Sequence, residues 1–139
     1  MRSRAVEGGF LLRFDRGEKL PDALGDFCRA QRIASATAQA IGALEDVELG
    51  YYDITVKKYE RTRLSGSWEL VSMMSVIASW EEKPFVHTHV LLTGRDFTAR
   101  GGHLFEGTVS VTVEMRLAAI GQDIHRVMNP VTGLHMLDL

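Results

Sequence analysis

Cysteine is nearly absent. The one thiol, Cys28, has no partner for an internal disulfide, which suits a reducing compartment, so the expected location is the cytoplasm. No apolar run approaches the roughly 20 residues of a membrane span. The first seven residues carry Arg2 and Arg4 but no apolar signal core after them, so the chain reads as soluble and unexported. There is no excess of positive charge either. Sixteen Lys and Arg stand against 18 Asp and Glu, a net charge of −2, which argues against a generic nucleic-acid binder while leaving room for a local basic patch. Repeats, low-complexity tracts and long linkers are missing too. What remains is a chain of 139 residues, 45% apolar and 24% charged, the size and composition of one globular domain over residues 1–139. A domain of this size buries roughly two-thirds of the surface its unfolded chain exposes, enough to fold without a staple.

The pattern is strand-like with one clear helix. Phe10, Leu12 and Phe14 alternate with Gly9, Leu11 and Arg13, predicting a first strand that ends at the turn residues 15–18. Pro21 suits a first helical position. Leu20, Leu24, Phe27 and Cys28 then follow helical spacing to about Arg32. Cys28 falls on that apolar stripe, where a thiol is buried filler rather than a nucleophile. Gly25 weakens the helix by roughly 1 kcal/mol relative to alanine.

Further strands are expected over residues 34–41, broken by Gly42-Ala43, and over 47–52. Another covers 58–64 and ends at Ser65-Gly66. Residues 68–80 allow helix or strand, and their β-branched content favours strand. Residues 85–93 form the clearest strand, turning at Gly94-Arg95-Asp96. His103-Leu104-Phe105 opens the return, and residues 108–117 alternate Val and Met with polar partners as a half-exposed antiparallel strand. Thr132-Gly133-Leu134 turns into a short last strand. The expected fold class is α+β: a largely antiparallel sheet packed with one main helix.

Three of the five histidines group by geometry. His87 and His89 are two apart on a strand and share a face. A hairpin turning near Asp96 sets His103 almost opposite His89, with Cβ atoms about 5 Å apart. Three imidazoles on one patch suit zinc, copper, nickel or iron. Three protein ligands leave a fourth position open, as in catalytic zinc sites. The competing reading is that these are sheet histidines bonded to backbone or to a neighbouring chain. Register decides between them, because a slip of one residue turns His103 to the other face. If a metal activates water, Glu106 is the nearest candidate base and Glu69 a weaker one; otherwise both are solvated carboxylates. His125 and His135 stand at no ligand spacing.

Lys57, Lys58, Arg61 and Arg63 concentrate positive charge in seven residues, opposed only by Glu60. They are the candidate nucleic-acid residues; the plainer reading is a charged edge strand that deters aggregation.

Several segments in order carry a resemblance. They are Ile41-Gly42-Ala43-Leu44, Leu49-Gly50-Tyr51-Tyr52-Asp53, Glu69-Leu70-Val71-Ser72, Phe85-Val86-His87-Thr88-His89-Val90 and Gly101-Gly102-His103-Leu104-Phe105-Glu106-Gly107. Over about residues 8–117 the chain resembles the plants-and-prokaryotes conserved (PPC) domain, in its bacterial and archaeal stand-alone form. Ser75 departs from the pattern, which usually has glycine there. The resemblance implies a compact α+β homotrimer. It also implies, for some bacterial members, metal binding through the residues matched here by His87, His89 and His103. The family's DNA-binding label comes from plant members with a separate AT-hook, and no Arg-Gly-Arg-Pro element is present in this chain.

Three functional readings follow. The first is a homotrimeric module whose three-histidine site takes a metal, zinc foremost, or a ligand, with a small molecule at the metal as a candidate partner. The second is a DNA-associated regulatory protein, and the third a metal-dependent hydrolase or isomerase. A cupin also uses His-x-His but follows it with a glutamate, and residues 90–94 here hold none.

Overall fold

The computed structural model describes residues 1–139. Nine strands and one helix follow one another as β1 (Arg2–Val6), β2 (Gly9–Asp15), β3 (Lys19–Leu20), α1 (Asp22–Ala30), β4 (Ala36–Asp53), β5 (Lys58–Trp80), β6 (Lys83–Thr93), β7 (Ala99–Ala119), β8 (Arg126–Asn129) and β9 (Leu134–Leu137). The main sheet runs β1-β2-β7-β4-β5-β6, and β6 pairs back onto β7. Strands β4, β5, β6 and β7 therefore close on themselves, all antiparallel. With one helix of nine residues, the molecule is mostly antiparallel sheet, and α+β describes it only loosely.

The strands are longer than the sequence pattern predicts. The expected pairs of strands at 34–41 and 47–52, and at 58–64 and 68–80, are two continuous strands, β4 and β5. Gly42 bends β4 instead of ending it. Its φ is +152°, and a Cβ there would stand 2.1 Å from the Thr112 carbonyl oxygen of β7, so only glycine lets the two backbones meet. Register shifts at Ala40/Gly42 and Glu45/Val47 mark bulges that curve the strand without breaking its ladder. Likewise β7 is one strand of 21 residues, serving β2 and β4 with one half and β4 and β6 with the other.

The core lies inside this curve. Phe14, Leu44, Met73, Ile77, Leu92, Val109, Val113 and Leu117 are fully enclosed there. Helix α1 covers one opening with Leu24, Phe27 and Cys28, and Phe27 meets Phe10 edge-on at 5.1 Å. Pro21 sits at the N-cap, one residue before the expected first helical position. The strand pair β8–β9 docks at the end of β5. The Ser79 N–H donates to the Ile124 carbonyl at 2.8 Å, and the Ser79 hydroxyl donates to Asp123 at 2.8 Å. No helix is long and apolar enough to cross a membrane.

Candidate metal centre

Strand period and hairpin register build the site together. His87 and His89 point outward from β6 because Thr88 and Val90, at the alternate positions, fill the core. The β6–β7 hairpin sets His89 directly opposite His103, the register on which the metal reading depends, and directly opposed residues share a face. Gly101 makes this pairing possible. A Cβ there would lie 2.5 Å from the Val90 carbonyl oxygen, so a larger residue would push β7 away from β6.

The result is a tight triad. Ring centroids are 5.1 Å apart for His87 and His89, 5.4 Å for His87 and His103, and 5.6 Å for His89 and His103. One nitrogen from each lies within 4.8 Å of the others. An ion with zinc–nitrogen bonds of about 2.0–2.1 Å needs donors within about 4 Å of one another, a small side-chain adjustment from this spacing. His103 Nδ1 is buried with no hydrogen-bond partner, a costly state for a polar atom unless something else satisfies it.

Aromatic rings wall the site. His103 lies 5.0 Å from Tyr59 and 4.7 Å from Phe105, centroid to centroid. Burial, then the charge of His87 and His89, then that of Arg61 hold His103 down to about 4. Burial first, then His89 and Arg126, also lower His87. Imidazoles held neutral are in the form that ligates metals.

Arg126 escaped the sequence reading. Its side chain is buried, with Nη1 donating to the His135 carbonyl at 2.9 Å and Nη2 to the Val76 carbonyl at 3.4 Å. Its guanidinium lies over Phe85 at 5.1 Å, and Val76 is the cross-strand partner of His87. A lone arginine in a tail without clear alternation offers no signal of such a role. His135 packs against Trp80 at 4.1 Å.

Other predicted residues lie elsewhere. Glu106 is held by Lys19 Nζ at 3.0 Å, and neither it nor Glu69 joins the cluster of ligating groups. Arg61 and Arg63 share one carboxylate, Glu48, at 3.3 and 2.9 Å. Lys57 Nζ donates to the Pro130 carbonyl at 3.0 Å, and Lys58 is exposed.

A closed antiparallel sheet with His-x-His on one strand and Gly-Gly-His on the next defines a recognisable class. Residues 1–121 match the family model described as Plants and Prokaryotes Conserved domain, and the chain belongs to that family. Three crystal structures resemble it throughout. A metal-containing protein from Archaeoglobus fulgidus is 35% identical, with 94% of this chain and 92% of that one covered and a TM-score of 0.86. A plant- and prokaryote-conserved protein from Pyrococcus horikoshii is 30% identical, over 100% and 93% of the chains, TM-score 0.85. A "putative DNA-binding protein" from Ralstonia eutropha is 27% identical, over 99% and 95%, TM-score 0.92. No curated protein matches the chain.

Proposed function

We propose that this chain is a homotrimeric cytoplasmic protein, one domain over residues 1–139, that binds a divalent transition metal through His87, His89 and His103. Zinc is the first candidate. The observation that carries the reading is the convergence of three imidazoles from two paired strands, one of them with a buried, unpartnered nitrogen. The donor set is all nitrogen, which suits zinc, copper, nickel or iron better than calcium or magnesium. Three ligands leave a position for water or a small molecule, and the bound ion would act there as a Lewis acid. The metal-containing relative from Archaeoglobus is consistent with this.

No general base stands ready beside the histidines. With Glu106 ion-paired to Lys19, the site reads as a binding centre before a hydrolytic one. The test is metal content per chain in tag-free, natively purified protein, with His89→Ala alongside. The expected result is about one transition metal per wild-type chain, lost in the variant. A wild type that stays metal-free even with added zinc would make the histidines structural.

A DNA-associated role is the second reading, favoured by the description of the Ralstonia relative. Its basic cluster is largely engaged within the protein, since Glu48 takes up Arg61 and Arg63 and Pro130 takes up Lys57. Binding to duplex DNA that is absent even at low salt would end this reading.

A further inference from the structure

We infer that the three-histidine centre takes a small anionic oxygen ligand, a carboxylate or a phosphate, with Arg61 as the guanidinium that recognises it. This rests on the metal-binding reading above and adds the class of ligand.

Arg61 reaches the centre through one glycine. Gly50 of β4 pairs with Arg61 of β5 on one side and with His103 of β7 on the other, so the three residues stand in one cross-strand row. A side chain at Gly50 would collide with the rings of Phe105 and Tyr59, at 2.5 and 2.9 Å. Those rings fill the space above the glycine instead. The Arg61 guanidinium lies on Phe105, 3.6 Å from its centroid, and Phe105 meets His103. Phe105 thus touches both the guanidinium and the imidazole. The guanidinium gives Nη1 to Glu48 at 3.3 Å, and its Nε and Nη2, which make no bond within the protein, remain for the oxygens of a carboxylate or phosphate.

The charge balance points the same way. Two arginines flank the histidines: Arg126 is bonded to the carbonyl of Val76, which stands opposite His87, and Arg61 lies on Phe105, which packs against His103. No carboxylate joins the cluster. The acid that pairs with Arg61 is Glu48, which also binds Arg63, so one carboxylate serves two guanidiniums. A divalent ion on three neutral imidazoles has no protein anion to offset it. An anion at the open position would supply that charge, and Arg61 would hold its outer oxygen. Aromatic walls lower the local dielectric and strengthen the attraction.

The test uses the full chain loaded with Co²⁺, whose visible absorption reports the ligand set. Acetate and inorganic phosphate are titrated in separately, with acetamide as the neutral counterpart of acetate. Arg61→Met keeps a stem against Phe105 without the charge, and Arg95→Met removes an exposed charge from the β6–β7 turn as a control. We expect equal cobalt in all three proteins, a spectral change with at least one anion but not with acetamide, and affinity about tenfold or more weaker in Arg61→Met alone. Equal anion affinity in Arg61→Met and wild type, or a cobalt spectrum blind to both anions, overturns the inference and leaves the metal site standing. A wild type that takes up no cobalt overturns the metal site itself, and this inference with it.

Discussion

Ser75 and Thr88 face each other across β5 and β6 with their hydroxyl oxygens 2.8 Å apart. Both residues are buried. Each hydroxyl satisfies the other in a place water does not reach. Removing one alone strands its partner. Ser75→Ala is therefore expected to cost about 1–3 kcal/mol, while Ser75→Ala with Thr88→Val recovers most of the loss. Urea unfolding of the single and double variants checks this, and equal destabilisation in the two would contradict it.

Cys28 shows the same logic for an ionisable group. It is fully enclosed on the buried face of α1, and burial pushes its thiol up to about 11. The folded state then keeps a proton that the unfolded chain gives up near the thiol's ordinary value of 9.0. Stability present below about pH 9 is lost as the pH rises toward 11. Cys28→Ala is expected to flatten the alkaline decline of the melting temperature, and native wild type should resist thiol reagents until it unfolds. Rapid labelling under native conditions would place the thiol at the surface.

At the level of elements, the histidine site depends on how closely two strands approach. Gly101 offers no ligand atom of its own, yet its missing Cβ lets β7 lie against the Val90 carbonyl. Gly101→Ala must shift β7, and with it His103, away from His89. The expected outcome is a folded protein with at least about tenfold weaker metal affinity, as when a residue that positions metal ligands is lost. Circular dichroism beside a competitive zinc titration measures both halves, and unchanged affinity would sink the idea.

This is also where reading the sequence succeeded and where it stopped. The strand period set His87 and His89 on one face, and a hairpin turning near Asp96 offered His103 as the third member, but the register was left open by the spacing and is closed by the β6–β7 pairing. Strand lengths were not. Gly42 and Ser65-Gly66 look like punctuation, and glycine at a strand end and glycine at a bulge leave the same mark in a sequence. Only the pairing of β4 with both β5 and β7 shows that Gly42 is a bend. The first strand, β1, was missed because Arg2, Ser3 and Arg4 bury nothing. Its place is secured by the ladder to β2.

For the whole molecule, the outer face of the curved sheet raises the question of what covers it. Ile41 and Val71 line two adjoining grooves, one shared with Met74 and the other with Val111. Their exposures are 61%, 48%, 51% and 68%. Met74 is the cross-strand partner of His89, so this apolar strip runs up to the histidines. An exposed apolar stretch of this kind on a sheet marks an interaction surface, and the homotrimer proposed above supplies one. A threefold assembly closes by setting one surface of each copy against a different surface of the next. The strip would then be one side of that contact, beside the metal centre. Ile41→Glu places a charge in its middle while leaving the core untouched, because Ile41 points away from it. We expect sedimentation equilibrium to give a trimer mass for wild type. For Ile41→Glu we expect monomer, or an association at least about a hundredfold weaker, with an unchanged circular dichroism spectrum. A variant that remains trimeric would move the interface off this face, and a monomeric wild type would remove the trimer altogether.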